Sequence, residues 1–164
     1  MKAILVRKLN SFFGRSTFEK LWFLPVWMLL GLSRFLILTA HFRRMAPLLG
    51  MQAGINPWIP LIDPAAQARA VSIGRVIGMA SNYTPWLSNC FPQAVTARIM
   101  LGFFRVPYCL FFGVSRDPAD SGMKAHAWVA SGRVRVTGGA GFNDFTVVGC
   151  FVSSDQHALT SISD

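Results

Sequence analysis

Apolar and polar positions repeat with a helical period through the first two thirds of the chain and with a strand-like period after that. Residues 1–20 interleave Ile4, Leu5, Leu9, Phe12 and Phe13 with Arg7, Lys8 and Arg15, a basic amphipathic lead. Leu21 to His41 is of helical length and apolar nearly all round, with Pro25 near its start and Ser16 or Thr17 before it as a cap. Such a helix packs inside a domain or faces lipid. Phe42 to Gly50 closes this lead. Gly54 to Pro64 carries Pro57, Pro60 and Pro64 around Trp58 and reads as a connecting loop. Asp63 is placed to cap a helix with Pro64 at its first position, where a missing N–H costs nothing. Its apolar positions include Ala68, Val71, Ile73, Val76, Ile77 and Met79, with Arg69 and Arg75 outward, and it ends near Ser81-Asn82.

A second amphipathic helix starts at Cys90. Ser88 or Asn89 caps it, and Pro92 fits its first turn. Ala94, Ala97, Leu101 and Phe104 recur at spacings of three and four on the Cys90 face. Val106-Pro107 breaks it. Tyr108 to Val114 is a continuous apolar run, the pattern of a buried strand, and Arg116 to Gly122 is a polar turn. Ala125 to Ala130 and Arg133 to Thr137 read as a hairpin about Ser131-Gly132. Gly138 to Gly141 is a loop, and Phe145 to Val152 is a last strand. Helices first and hairpin-linked strands afterwards predict an α+β fold, with N-terminal helices followed by a Cys-bearing helix packed on an antiparallel sheet. The expected organisation is a basic, apolar helical segment over 1–53, a core over 54–152 and a polar tail over 153–164.

Composition adds two constraints. With 164 residues, of which 52% are hydrophobic, the chain suits one domain with a real core and is greasy enough for membrane contact. Leu21 to Ala40 is about as long as a membrane span, but Ser33 and Arg34 lie within it, and Arg at mid-bilayer is costly. The net charge of +9 suits an anionic partner. A membrane surface is the favoured one, since no nucleic-acid motif is present. Three cysteines without CxxC spacing argue against a disulfide scaffold or a zinc site and favour a reducing cytoplasm.

The candidate chemistry is Cys90 with His126. A thiol at a helix start sits among unpaired N–H groups that favour thiolate, and an imidazole on a later strand can take its proton. The pair predicts a cysteine peptidase. Cys109 and Cys150, inside apolar strands, are expected to be inert core residues. His41 and His157 have no such context and read as surface. Trp128 reads as packing. Gln93, one turn after Cys90, is expected in a capping or surface role rather than at an oxyanion site.

Several stretches resemble the lasso peptide biosynthesis B2 proteins. These are Ser88-Asn89-Cys90-Phe91-Pro92-Gln93-Ala94, Leu110 to Val114, Ala125-His126-Ala127-Trp128-Val129, Val136-Thr137-Gly138-Gly139 and Phe145 to Val148, with Phe42 to Gly50 ahead of them. The likeness covers roughly residues 20 to 152. It implies a transglutaminase-like, papain-type cysteine peptidase fold and a leader peptidase, which frees the core of a ribosomally made precursor for a macrolactam synthetase. In that family the leader is held by a recognition domain, fused or separate. The short chain and its apolar first 80 residues lead to the expectation of a separate leader-recognition partner. No cofactor is expected, because no Gly-rich phosphate loop with Lys is present. Carried over by position, Cys90 is the nucleophile and His126 the general base. Related enzymes orient the imidazole with an acid on the strand after it, and the counterpart here, Val136 to Gly139, has no carboxylate. Asp144 is the candidate third member, with Asn143 or a backbone carbonyl as alternatives. Two rival readings remain: an inactive scaffold of the same fold that binds precursor or synthetase, and a small single-span membrane protein.

Overall fold

A computed structural model describes residues 14–55, 59–116, 122–139 and 141–153, without the side chains of 141 and 142. The expectations for the lead before residue 14, for Pro57 and Trp58, for Asp117 to Asp120, and for His157 with the tail beyond Ser153 fall outside them.

Helix α1 spans Thr17–Thr39. Ser16 caps it, its hydroxyl accepting from the Glu19 N–H at 3.2 Å. After a one-turn break at Ala40 and His41, α2 runs Phe42–Leu49 as a separate helix. Strand β1 follows at Met51–Gly54. It was not legible in the pattern because all four residues are exposed and none alternates. Helix α3 spans Pro64–Ser81, and the Asp63 carboxylate accepts from the Ala66 N–H at 2.7 Å, as the cap signature predicts. Helix α4 spans Cys90–Phe103. Strands β2 (Cys109–Arg116), β3 (Met123–Ser131), β4 (Val134–Thr137) and β5 (Thr146–Val152) complete the chain, with a 3-10 turn at Gly141–Asp144 before β5. The expected α+β architecture is the observed one.

The sheet order is β1-β5-β2-β3-β4, and its pairings are antiparallel. The β3–β4 turn is Gly132-Arg133, one residue later than the pattern suggested. Ser131 pairs with Val134, and Gly132 takes the left-handed φ of 54° that such a turn needs. Ser153 continues the β5 pairing, its N–H donating to the Tyr108 carbonyl at 3.1 Å.

Helices cover one face of the sheet. Val26 and Leu30 of α1, Met45 and Leu49 of α2, Ile73 and Ile77 of α3, and Ala94, Ala97 and Leu101 of α4 join Leu110, Ala127 and Val129 in one buried cluster. The other face carries a smaller cluster of Cys109, Phe111, Trp128, Cys150 and Val152. The Cys109 and Cys150 sulfurs lie 2.7 Å apart within it, fully buried as their apolar strands predict.

Two polar contacts fix the helices to one another. The Arg69 guanidinium of α3 lies over the rings of Phe18 and Phe104, at 4.9 and 4.8 Å. Ser33 of α1 and Thr96 of α4, both fully buried, share a hydroxyl hydrogen bond of 3.1 Å. Removing one partner leaves a buried hydroxyl unsatisfied, which costs about 1–3 kcal/mol, whereas replacing both is nearly neutral. Ser33→Ala should therefore lower stability in urea unfolding by that amount, and Ser33→Ala with Thr96→Val should recover most of it.

Candidate active site

Helix α4 is built differently at its start from α1 and α3. Asn89 holds the N-cap position with extended backbone, but its side chain makes no cap hydrogen bond. The first intrahelical bond runs from the Gln93 N–H to the Asn89 carbonyl, at 3.3 Å. Pro92 has no N–H to offer. The N–H groups of Cys90 and Phe91 precede the ladder and have no intrahelical acceptor. Two donors therefore stand beside the thiol, where developing negative charge on a carbonyl oxygen is best met. The Gln93 amide donates to the Ser88 carbonyl at 2.7 Å, a local closing contact that matches the capping role expected of it.

His126 lies on β3, opposite Gly113 of β2. Its ring stacks on Phe145, with centroids 4.9 Å apart, and on Trp128 at 5.8 Å. Trp128 stacks in turn on Phe111 and is buried, the packing role expected of it. Nε2 of His126 lies 2.8 Å from the Gly138 carbonyl oxygen. A carbonyl only accepts, so Nε2 carries the proton, and in the neutral ring the lone pair is on Nδ1. Gly138 has φ 98°, and a Cβ there would run into the Trp128 Cβ, so only glycine lets this carbonyl reach the ring.

This contact bears on the third member. Asp144 and Asn143 are exposed on the 3-10 turn. Among the described residues no hydrogen bond or ion pair joins either to His126. The turn delivers Phe145 to the imidazole, and the group at Nε2 is the Gly138 carbonyl. The Gly138-Gly139 pair was the only sequence sign of it.

Cys90 and His126 line one cavity of about 500 Å³. Its walls include Phe42, Phe91, Phe112 and Phe151, four aromatic rings that the sequence pattern did not connect with the site. Alternation along β3 gives Ala127 and Val129 to the helix side and places His126 with Trp128 on the other. Both residues line the cavity, Cys90 from the helix and His126 from the sheet, while the His126 ring itself stacks on Trp128 and Phe145. No hydrogen bond joins the two side chains among the described residues. Cys90 is part-exposed, unlike Cys109 and Cys150, and His41 is exposed, as expected. Among the described residues no group of three His, Cys, Asp or Glu converges as metal ligands do.

The Gly138 contact has a spectroscopic consequence. Nitrogen-15 NMR of the imidazole should show the neutral ring of His126 protonated at Nε2. An Nδ1-protonated ring would contradict the donor assignment.

The family model for the transglutaminase-like superfamily matches residues 36–150, from the end of α1 into β5, and so takes in Cys90, His126 and Gly138. No curated protein and no solved structure matches the chain. The superfamily includes cysteine peptidases, and a thiol at a helix start facing a cavity that a strand histidine also borders is in keeping with their chemistry. By the extent of that match, together with the helix-then-antiparallel-sheet order that carries it, this chain belongs to the transglutaminase-like superfamily.

Proposed function

We propose that the protein is a cysteine peptidase that removes the leader from a ribosomally made lasso peptide precursor. The observation that carries the peptidase reading is the shared cavity: Cys90, at an uncapped helix start, and His126, with its Nε2 held by Gly138, border the same hollow. The resemblance of the Cys90, His126 and Gly138 segments to lasso B2 proteins supports the choice of substrate. On this reading the chain works in the cytoplasm with a separate leader-recognition protein and hands the core peptide to a macrolactam synthetase.

Hydrolysis runs through a thioester. Substrate binding brings thiol and imidazole within reach, the Cys90 proton passes to Nδ1 of His126, and sulfur attacks the scissile carbonyl. The N–H groups of Cys90 and Phe91 receive the oxyanion. The C–N bond breaks as His126 returns the proton to the leaving amine, which is the core's new N-terminus. Water then attacks the thioester, giving one proton to His126, and the leader leaves with a free carboxylate while the thiol is restored. The Gly138 carbonyl holds the ring throughout, in the role for which Asp144 was the candidate.

Mass spectrometry of the precursor, incubated with the recognition partner and either wild type or Cys90→Ala, tests this. Wild type should release the leader and Cys90→Ala should not. Cleavage by Cys90→Ala removes the nucleophile assignment. No cleavage by either, with the precursor bound, favours the inactive scaffold.

We also propose that α1 rests on an anionic membrane surface. The helix is long and apolar enough to cross a bilayer by length and composition. However, one side of it is committed to the core through Val26, Leu30 and Ser33. Its other side exposes Leu21, Leu24, Met28, Leu32, Phe35 and Leu38, spaced by three and four as one stripe. Arg43 and Arg44 are exposed just beyond its end, and the chain carries a net +9. A helix lying flat, apolar side to the acyl boundary and cations to the headgroups, meets both features. The protein should float with phosphatidylglycerol-containing vesicles, and Leu24→Glu with Phe35→Glu should abolish this. No flotation, with concentration-dependent dimers that the same variant dissolves, would assign the stripe to a second copy instead.

A further inference from the structure

The hollow beside Cys90 has a composition unlike the rest of the chain. In a protein of net charge +9, no Lys, Arg, Asp or Glu lines it among the described residues, where its polar residues are Cys90, His126 and Gln52. Four phenylalanines shape the remainder. Phe42 of α2 meets Phe112 of β2 edge to face at 5.6 Å, and Phe91 of α4 meets Phe112 at 5.4 Å. Phe112 also meets Phe151 of β5 at 5.9 Å. The rings brace one another, so the walls keep their shape when the hollow is empty.

The floor has a specific origin. Phe112 is paired with Gly149 across β2 and β5, and the register slips immediately beyond, where Gly113 pairs with Val147. Val148 is the extra residue of that bulge. Residues opposite one another in a ladder share a face, so a side chain at 149 would stand beside Phe112 and Phe151. Glycine puts nothing there: a Cβ at Gly149 meets no atom within 4 Å, and its φ lies outside the left-handed range. No backbone requirement calls for glycine at this position, and its effect is to leave the hollow open. At about 500 Å³ the hollow is in the usual range of ~300–1,000 Å³ for ligand pockets and has room for a bulky side chain.

We infer that this hollow is a specificity subsite: it takes one bulky uncharged apolar side chain, aromatic or branched aliphatic, of the peptide next to the bond that Cys90 attacks. An apolar wall of this kind rewards buried area. It rejects Asp, Glu, Lys and Arg because a charge placed there meets no partner among the described lining residues. Gly149 sets the depth of the subsite and the Phe42–Phe91–Phe112 contacts set its width. This inference rests on the peptidase reading for the identity of the ligand as a peptide, but not for the shape of the pocket.

The test uses synthetic peptides spanning a cleavage site, in which each position in turn is Phe, Leu, Ala, Asp or Lys. Two readouts are taken: cleavage by the wild type, and binding to Cys90→Ala followed by fluorescence. One position should prefer Phe or Leu over Ala, Asp and Lys in both. Gly149→Leu, whose Cβ meets no atom within 4 Å, should cut kcat/KM for the preferred peptide by about 10–200-fold, the range for a contact of this size in an apolar pocket. Phe112→Ala should widen the preference. Cleavage with no apolar preference at any position, or a preference that Gly149→Leu does not alter, overturns the subsite and leaves the peptidase standing. Apolar-selective binding that Gly149→Leu abolishes, without cleavage of any peptide, overturns the peptidase and leaves the subsite. Neither binding nor cleavage overturns both. A thermal melt of Gly149→Leu matching wild type separates a filled pocket from a misfolded chain.

Discussion

The close seating of α4 on β3 is the constraint on which the site depends. Helix α4 packs on β3, and three of the buried positions that the two contribute to one cluster are alanines, Ala94 and Ala97 on the helix and Ala127 on the strand. Short side chains let helix and sheet approach closely, and close packing then leaves little freedom in where the helix begins. Cys90 stands at that beginning. A larger residue at Ala97 or Ala127 would lift the helix away from the sheet and separate the thiol from the layer that holds His126. The Ser33–Thr96 hydrogen bond and the Arg69 stack on Phe18 and Phe104 fix α1 and α3 around the same helix.

On this frame the two candidate groups, Cys90 and His126, have different surroundings. The thiol is served by an absence: α4 lacks the side-chain cap that α1 and α3 both have, so its first N–H groups stay available. The imidazole is served by a backbone. Gly138 turns its carbonyl to Nε2 in a conformation that only glycine holds easily, and Phe145 and Trp128 stack on the ring. A carbonyl fixes the tautomer and orientation of an imidazole as a carboxylate does, but contributes no full charge to an imidazolium. The cavity that Cys90 and His126 both line is mostly apolar, and a bulge and a glycine on β5 lie in its wall.

Much of this was legible in the sequence, and the illegible parts share a cause. The α3 cap at Asp63, the start of α4, the break at Val106-Pro107 and the order of the strands all follow from local signals: caps, proline and periodicity. Cys90 and His126 stood out by context, one after polar residues at a helix start, the other in the Ala125 to Val129 strand. What could not be read is what non-local pairing decides. β1 has no pattern of its own and exists because β5 offers an edge. The Gly138 contact spans two strands, and the expectation of a carboxylate at Asp144 came from relatives rather than from spacing. The cavity needs Phe42, Phe91, Phe112 and Phe151 from four separate elements. Gly149 shows no local reason to be glycine at all.

The central claim is that Cys90 is an activated thiol whose reactivity depends on His126. Its most direct measurement is the rate of Cys90 alkylation by iodoacetamide in the native protein, read by peptide mass spectrometry, beside the same measurement on His126→Gln. Cys90 should be modified rapidly, the buried Cys109 and Cys150 should be protected, and His126→Gln should slow the reaction at Cys90 markedly. A Cys90 that reacts no faster than a free small-molecule thiol, and is indifferent to His126→Gln, would contradict it.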